Sequence, residues 1–500
     1  MSQDEINQAE AKLSKQTQPC KLISILLLLI LFTFGVNLQL KNHNIYHSYF
    51  IAALSFIGLI WLIIIWIDIK IVSCRLHLST EDASSVTHVE WTYYTYLKAP
   101  HLYCFYLKLG LAVFCCIDLS LTLATMIQEL YFLSKLPTCF NSLRLISSTS
   151  DFLFASVQLI FIETHMNIAI NRLKNLSRLG CMICITVALL KWFATIVSEA
   201  FPQDPIDMDS HCRSFLKSNV RAFVPYIDPF TVEFNFLLAI QWLTIWLNIG
   251  SYKRTRAPSF WLITESHGAP NQFEAMTESM AFHRSKKGLI VGIIFFIGSI
   301  SSLLYYFSII GQSNVSESTI FFVKWEDFIY LVSSLVALLI GTWQLSFLGQ
   351  SDKSCIGSTD LMLLFFPLLA FFIRGYIRIY FIYSEKFSWL EGSLEALSIL
   401  QPIYQAFFIF YGRIKVCNTP YLVQHKPGRQ IIILLIFMNL ILWVSGAFRD
   451  KAKVNDHDFQ HFFHLIVLNL CHPFVLFFRY HSSVCLANIW KVTYEHGMIN

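Results

Sequence analysis

The stretch PFVLFFRYHSSVCLANIW, from Pro473 to Trp490, sets an arginine and a histidine, Arg479 and His481, inside a run otherwise apolar enough to cross a membrane. An earlier stretch, PFTVEFNFLLAIQWLTIW from Pro229 to Trp246, repeats its PF, its later Phe and its closing IW at the same offsets, but carries Glu233 instead of a histidine. An ionisable side chain within a span costs roughly 2.5–3.5 kcal/mol on insertion scales, so it normally faces a partner or a water-filled cavity. Imidazole, with a reference pKa of about 6.5, and a carboxyl, about 4.3 and higher when withdrawn from water, can bind and release protons in mild acid. Arg479 holds its proton too tightly to pass it on and reads as a fixed counter-charge or a snorkelling side chain. The competing reading of Glu233 is a carboxylate wetted by the outer headgroup region, and that of His481 is a satisfied packing histidine.

Composition sets the elements that must carry these groups. The chain is 55% hydrophobic and 14% charged with a mean hydropathy of +0.55, which is outside the soluble range and marks a polytopic membrane protein. The thirteen cysteines, scattered through apolar runs, read as small buried residues and not as a zinc site or disulfide framework. A net charge of +5 is small for this length and reads as cytoplasmic loop charge, so nucleic acid is not an expected partner. With no P-loop, GxGxxG or Ser/His/Asp constellation at a plausible depth, neither an enzyme nor a cofactor is expected.

Twelve apolar runs are long enough to span at about 20 residues per crossing. Six lie near Lys21–Leu40, Tyr49–Ile69, Leu102–Ile127, Phe152–Leu173, Leu179–Ala200 and Phe230–Ile249, and six near Leu289–Ile310, Phe328–Leu348, Leu361–Tyr383, Leu394–Ile414, Ile431–Phe448 and Phe462–Trp490. The expected fold is an all-α polytopic membrane protein of about twelve transmembrane helices in two similar six-helix halves of the same orientation. Its divisions are a polar, disordered cytoplasmic tail over 1–20, halves over 21–250 and 288–491, a cytoplasmic linker over 251–287 and a cytoplasmic tail over 492–500. Lys253, Arg254, Arg256, Arg284, Lys286 and Lys287 after the sixth run, and Arg172, Lys174 and Arg178 after the fourth, place the even-numbered loops and both termini in the cytoplasm.

That orientation puts the sequon at Asn314 outside, where it can be glycosylated, and the one at Asn175 inside, where it is silent. Cys139 and Cys212 fall in outer loops, so a disulfide between them is a hypothesis. His211 before the sixth run, and His457, His461 and His464 before the twelfth, are candidates for sensing outside acid, against the blander reading of a solvated cluster. Fainter echoes join the halves: Gln158 in the fourth run against Gln405 in the tenth, and LLKW ending at Trp192 against LILW ending at Trp443. Arg374 and Arg378, four apart in the ninth run, share a helix face and want carboxylate or carbonyl partners. Lys108, Asp118, Glu163 and His165 are further ionisable candidates within spans.

Several stretches together resemble the otopetrins, a family of proton-selective channels. KLGLAVF from Lys108 is similar to the family's third span, NRLKNLSRLG from Asn171 to its short basic loop between spans four and five, and PFTVEFNFLLA from Pro229 to its sixth span. TDLMLL from Thr359 is similar to the start of the ninth span and FFRYHSS from Phe477 to the last. The resemblance implies a twelve-helix subunit that forms a homodimer at the plasma membrane and passes protons inward when the outside is acid, with membrane lipid, sterol included, as a further partner. It points to Glu233 and His481 as the family's acidic and histidine positions, and to Gln158, Gln405 and Asn439 as polar residues inside the two bundles. Amides cannot titrate, but they can hold water chains or simply glue helices together. One departure stands out: the fifth run reads ITVALLKW, with no counterpart of the asparagine in MNLILW of the eleventh.

With Pro229 and Pro473 taken as helix starts, Glu233 lies about 6 Å and His481 about 12 Å into their helices at about 1.5 Å per residue. That order suits a proton moving inward. The alternative is a proton-coupled secondary transporter of a small solute, which would show helices broken at Gly or Pro in matching places of each half. Pro367 and Pro402 are isolated and predict no such break.

Overall fold

The computed structural model describes residues 3–40, 44–79, 93–96, 101–200, 220–250, 286–310, 317–351, 358–384, 389–449 and 459–495. Side chains at some helix ends, and the remaining stretches, lie outside that description. Among the described residues, eleven helices are long and apolar enough to cross a membrane, and each overlaps one of the first eleven expected runs. The twelfth run falls in a helix of 37 residues. The protein is therefore a helical polytopic membrane protein.

The chain separates into two compact units, Met1–Ala99 with Lys108–Arg254, and Pro100–Leu107 with Thr255–Asn500. The elements up to the sixth crossing are α1 (Gln3–Leu40), α2 (Asn44–Ser79), β1 (Tyr94–Tyr96), α3 (His101–Lys135), α4 (Ser142–His165), β2 (Ile168–Ile170), α5 (Lys174–Ala200) and α6 (Val220–Asn248). In this first unit α5 packs along α6, α1 and α2 pack on α5, and α2 packs on α4. The strand after the second helix pairs antiparallel with the strand after the fourth, Thr95 opposite Ala169.

The later elements are α7 (Lys286–Ile310), α8 (Glu317–Ser346), β3 (Gly349–Gln350), α9 (Ser358–Phe365), α10 (Leu368–Ser384), α11 (Trp389–Gly412), β4 (Lys415–Val416), α12 (Pro420–His425), α13 (Arg429–Arg449) and α14 (Phe459–Glu495). In this second unit α13 packs along α14, α7 and α8 pack on α13, and α8 packs on α11. Gln350 opposite Lys415 sets an antiparallel strand pair after the corresponding two crossings.

Four local features depart from the sequence reading. The fourth crossing is Ser142–His165 and not Phe152–Leu173. Its polar start, SLRLISSTSD, looks like loop, but the Asn141 side chain caps it by accepting from the Leu143 and Arg144 amides. The Thr149 and Ser156 hydroxyls then turn back onto carbonyls four residues earlier. The first helix begins at Gln3, so the polar segment is not irregular: its Glu, Ala, Lys and Gln residues favour helix. Pro229 and Pro473 lie within α6 and α14 and not at their starts. Proline is tolerated there because neighbouring helices re-satisfy the backbone groups it frees. Counted from Tyr226, where the crossing begins, Glu233 is therefore about 10 Å in, deeper than expected. Finally, Pro367 does break the ninth crossing: α9 ends at Phe365 and α10 starts at Leu368, with Leu369 and Ala370 bonded back to the Phe366 and Pro367 carbonyls. Pro402 sits inside an unbroken α11, and α3, whose part from Lys108 onward belongs to the first unit, runs unbroken from His101 to Lys135.

At its end, α14 continues to Glu495, past the expected start of the tail. Thr493 and Tyr494 are buried, the Cys417 amide donates to the Thr493 carbonyl at 3.0 Å, and the Arg429 guanidinium lies over the Trp490 ring at 4.6 Å. This helix end docks onto its own unit and is not a free tail.

Candidate functional site

In the first unit α4 presents Gln158 to α6. Trp242 Nε1 donates to Gln158 Oε1 at 2.7 Å. Phe161 stacks on Trp242 at 5.5 Å, Trp61 meets it edge-on at 5.6 Å, and His165 stacks on Phe161 at 5.0 Å. Gln158 is thus one amide inside an aromatic wall, which favours the helix-glue reading for it. A second polar group lies between α3, α4, α5 and α6. Thr231 Oγ1 donates to Asp118 Oδ1 at 2.7 Å, and Lys191 pairs with Asp151 at 2.8 Å. Asp118 is within electrostatic reach of both Lys191 and Asp151. Glu233, two residues beyond Thr231, is 1% exposed. At the position facing Asn439 in the LLKW/LILW alignment, α5 has the buried Ala188.

In the second unit Arg479 of α14 donates to Gln401 Oε1 and lies over the Phe371 and Phe478 rings at 5.3 and 5.8 Å. Gln401 Nε2 in turn donates to Ser334 Oγ at 2.9 Å and Gln405 Oε1 at 2.7 Å. The structure therefore brings Arg479 and Gln405 together through Gln401, a residue that sequence reasoning missed, as it missed Ser334, the other acceptor of the Gln401 amide. The QPIYQ spacing of Gln401 and Gln405, one helical turn apart, was the available signal. Asn439 Nδ2 bonds to the Leu435 carbonyl at 2.8 Å. Among the described residues Asn439 Oδ1 and Gln405 Nε2 are buried with no hydrogen-bond partner, the state expected of groups that bind internal water. His481 is 1% exposed, stacks on Phe477 at 5.3 Å and has Nε2 at 3.7 Å from the Cys485 sulfur, contacts that fit a packed histidine.

A cavity of about 460 Å³ opens beside Arg479, lined from α7, α8, α10, α11, α13 and α14. Arg374 and Arg378 line it, as does Arg449. Arg378 pairs with Glu395 at 3.1 Å, Lys324 with Glu391, and Arg449 with Glu326 at 2.8 Å. The Ser445 hydroxyl donates to Asp327 at 2.7 Å. Arg378 thus finds the carboxylate partner expected of it, on α11, and Arg374 lies within electrostatic reach of that carboxylate and of Asp327 on α8.

The outer histidines do not form a described cluster. His211 and His457 lie outside the described residues, as does the side chain of His461, while His464 stacks on Tyr380 at 6.1 Å. Asn314 and Cys212 are outside them too. Cys139 is disulfide-bonded, and Cys181 and Cys184, a Cys-x-x-Cys spacing, are free buried thiols on α5. Among the described residues no group of three His, Cys, Asp or Glu side chains could hold a metal ion.

The sequence profile of the otopetrin family matches residues 106–211 and 206–480. A curated relative, the proton channel OtopLc of Drosophila melanogaster, is 25% identical over 277 residues, covering 54% of this chain and 17% of that protein. The chain thus matches about a sixth of the length of that relative. With the match running from the third crossing into the last, on helices that carry Asp118, Gln158, Glu233 and Arg479, the chain belongs to the otopetrin family.

Proposed function

We propose that the chain forms a proton-selective channel that carries protons into the cell and opens when the outside is acid. Family membership carries this reading, together with the naming of the Drosophila relative as a proton channel. The polar interior of the first unit supports it physically. Asp118, Thr231 and Glu233 offer carboxylates and a hydroxyl deep in the span, where a proton needs groups that bind and release it but little room. Glu233 is the protonatable station on this route. Gln158 shapes its wall, and Gln405, Asn439 and Arg479 line a hydrated chain in the second unit. His481 acts through packing beside Arg479.

The repeated helix pairing and the strand pair in each unit support two similar six-helix halves, and the basic residues of the even-numbered loops support cytoplasmic termini. The homodimer and the plasma-membrane location follow from the family resemblance. Large exposed apolar side chains such as Met362, Tyr376 and Trp343 offer surface for acyl chains or sterol. The break at Pro367 is the feature that favours a transporter, but among the described residues the first unit has no matching break.

Expression of the full chain is expected to give an inward current on outside acidification, with a reversal potential that follows the proton gradient and no saturation by a co-substrate. Glu233→Gln is expected to shift the pH at which current develops, with surface labelling unchanged. Surface-labelled cells without acid-evoked current would overturn the channel reading.

A further inference from the structure

The cavity of the second unit carries the wrong sign of charge for a cation vestibule. Five basic side chains line it: Lys324, Arg374, Arg378, Arg449 and Arg479. Three carboxylates line it with them, Asp327, Glu391 and Glu395, and Glu326 stands behind Arg449. Even with Glu326 included, cations exceed carboxylates by one, and within the lining alone by two. Arg374 is within electrostatic reach of the Arg378 and Arg479 guanidinium groups as well as of Glu395 and Asp327, so like charges repel each other here despite those carboxylates. In a site of low dielectric such repulsion is relieved by a counter-anion.

The geometry suits an anion of a particular kind. Arginine forks match planar or tetrahedral oxyanions bidentately, where a lysine presents only a point charge. Four of the five cations are arginines, three of them on the adjoining faces of α10 and α14. At about 460 Å³ the cavity has room for a phosphate or a small carboxylate with several waters. Lys324 and Glu391, whose side chains are 38% and 30% exposed, leave its rim open. We infer that this cavity is a binding site for an oxyanion, a phosphate group or its carboxylate equivalent, held chiefly by Arg374 and Arg479. The site takes none of the carboxylates of the first unit but shares Arg479 with the hydrated chain proposed for the second; its test reads anion binding and not current, so its failure is distinguishable from failure of the proton route.

Binding of radiolabelled inorganic phosphate to the purified full-length chain in lipid-depleted detergent tests it without any current being recorded. Saturable binding is expected, weakened about tenfold or more in Arg374→Gln and unchanged in Arg413→Gln, a basic residue outside the cavity. Glu395→Gln removes a competing carboxylate and is expected to tighten binding, a gain that misfolding cannot imitate. Displacement of the label by dioctanoyl phosphatidylglycerol, and not by dioctanoylglycerol, would assign the oxyanion to a lipid headgroup. Retention of the label would assign it to a free anion. No saturable binding to monodisperse wild-type protein, or Glu395→Gln binding no tighter than wild type, would overturn the inference.

Discussion

The first unit buries its central amide against tryptophan, and the second buries its own against arginine. Gln158 receives Trp242 within a wall of Trp61, Phe161 and His165, whereas Gln401 passes the Arg479 hydrogen bond on to Gln405 and Ser334. The helices around them pair in the same order in both units, down to the short strand pair after the second and fourth crossings. A shared scaffold therefore does not dictate its interior. It holds two carboxylates to one lysine in the first unit, at Asp118, Asp151 and Lys191, and an excess of guanidinium in the second. Charge of opposite sign on one architecture is the basis of both proposals, a proton route through the first unit and an anion site in the second.

The shared scaffold is tested most severely where the first helix of each unit crosses the fifth. A Cβ on Gly288 of α7 would stand 2.1 Å from the Gln430 carbonyl oxygen, a backbone atom that can move only if the helices part. On Gly35 of α1 it would meet the tip of Leu190, at 2.5 Å. Gly288→Ala is expected to cost about 3 kcal/mol, and Gly35→Ala about 1 kcal/mol because a side chain can turn aside. Thermal unfolding of the full chain in detergent reads both, and equal losses would mean that the two seams yield alike, the Gln430 carbonyl moving as readily as the Leu190 tip.

The contrast of interiors predicts unequal losses on removing each amide. Gln401→Leu leaves the buried Arg479 guanidinium without its acceptor and is expected to cost about 2–3 kcal/mol. Gln158→Leu orphans one neutral indole N–H and is expected to cost about 1 kcal/mol. Adding Trp242→Phe to Gln158→Leu replaces both partners of that bond, so the second change should cost less in the Gln158→Leu background than alone. Strict additivity would remove the pairing from the account.

How much of this could be read in the sequence differs between the units for the same physical reason. Hydrophobic length is local, so the crossings were legible, and so were the ionisable residues within them. Partnership is not local. Arg479 and Gln401 are 78 residues apart, Asp118 and Thr231 113, and Arg449 and Glu326 123. A run apolar on all sides leaves the inward face undetermined, so Arg374 and Arg378 could be singled out but not given Glu395. Proline was the poorest guide. Pro473 and Pro402 are absorbed within helices while Pro367 ends one, because the surrounding helices decide whether freed backbone groups are re-satisfied.

The smallest expected effect lies outside the candidate spans, at the strand pairs. In the first unit the Tyr94 hydroxyl donates to Asp68, Asp68 pairs with Arg172 at 3.2 Å, and that guanidinium lies over the Tyr93 ring at 5.4 Å. In the second unit the Lys415 ammonium lies over Tyr411 at 4.4 Å. Burial, with the hydrogen bond to Asp68, holds the Tyr94 phenol well above the usual tyrosine range. In the unfolded chain this phenol loses its proton near pH 10, whereas in the folded chain it keeps it. The unfolded state then binds fewer protons, so folding stability falls as pH rises past about 10. Tyr94→Phe should cost about 1 kcal/mol or less at pH 7 and flatten that alkaline decline, since it removes the group that titrates. Unfolding followed from pH 8 to 11 distinguishes this from a purely structural loss, which would lower stability equally at every pH. An unchanged alkaline slope in Tyr94→Phe would mean that the first unit's strand pair is held by backbone bonding alone, as a plain ladder would be.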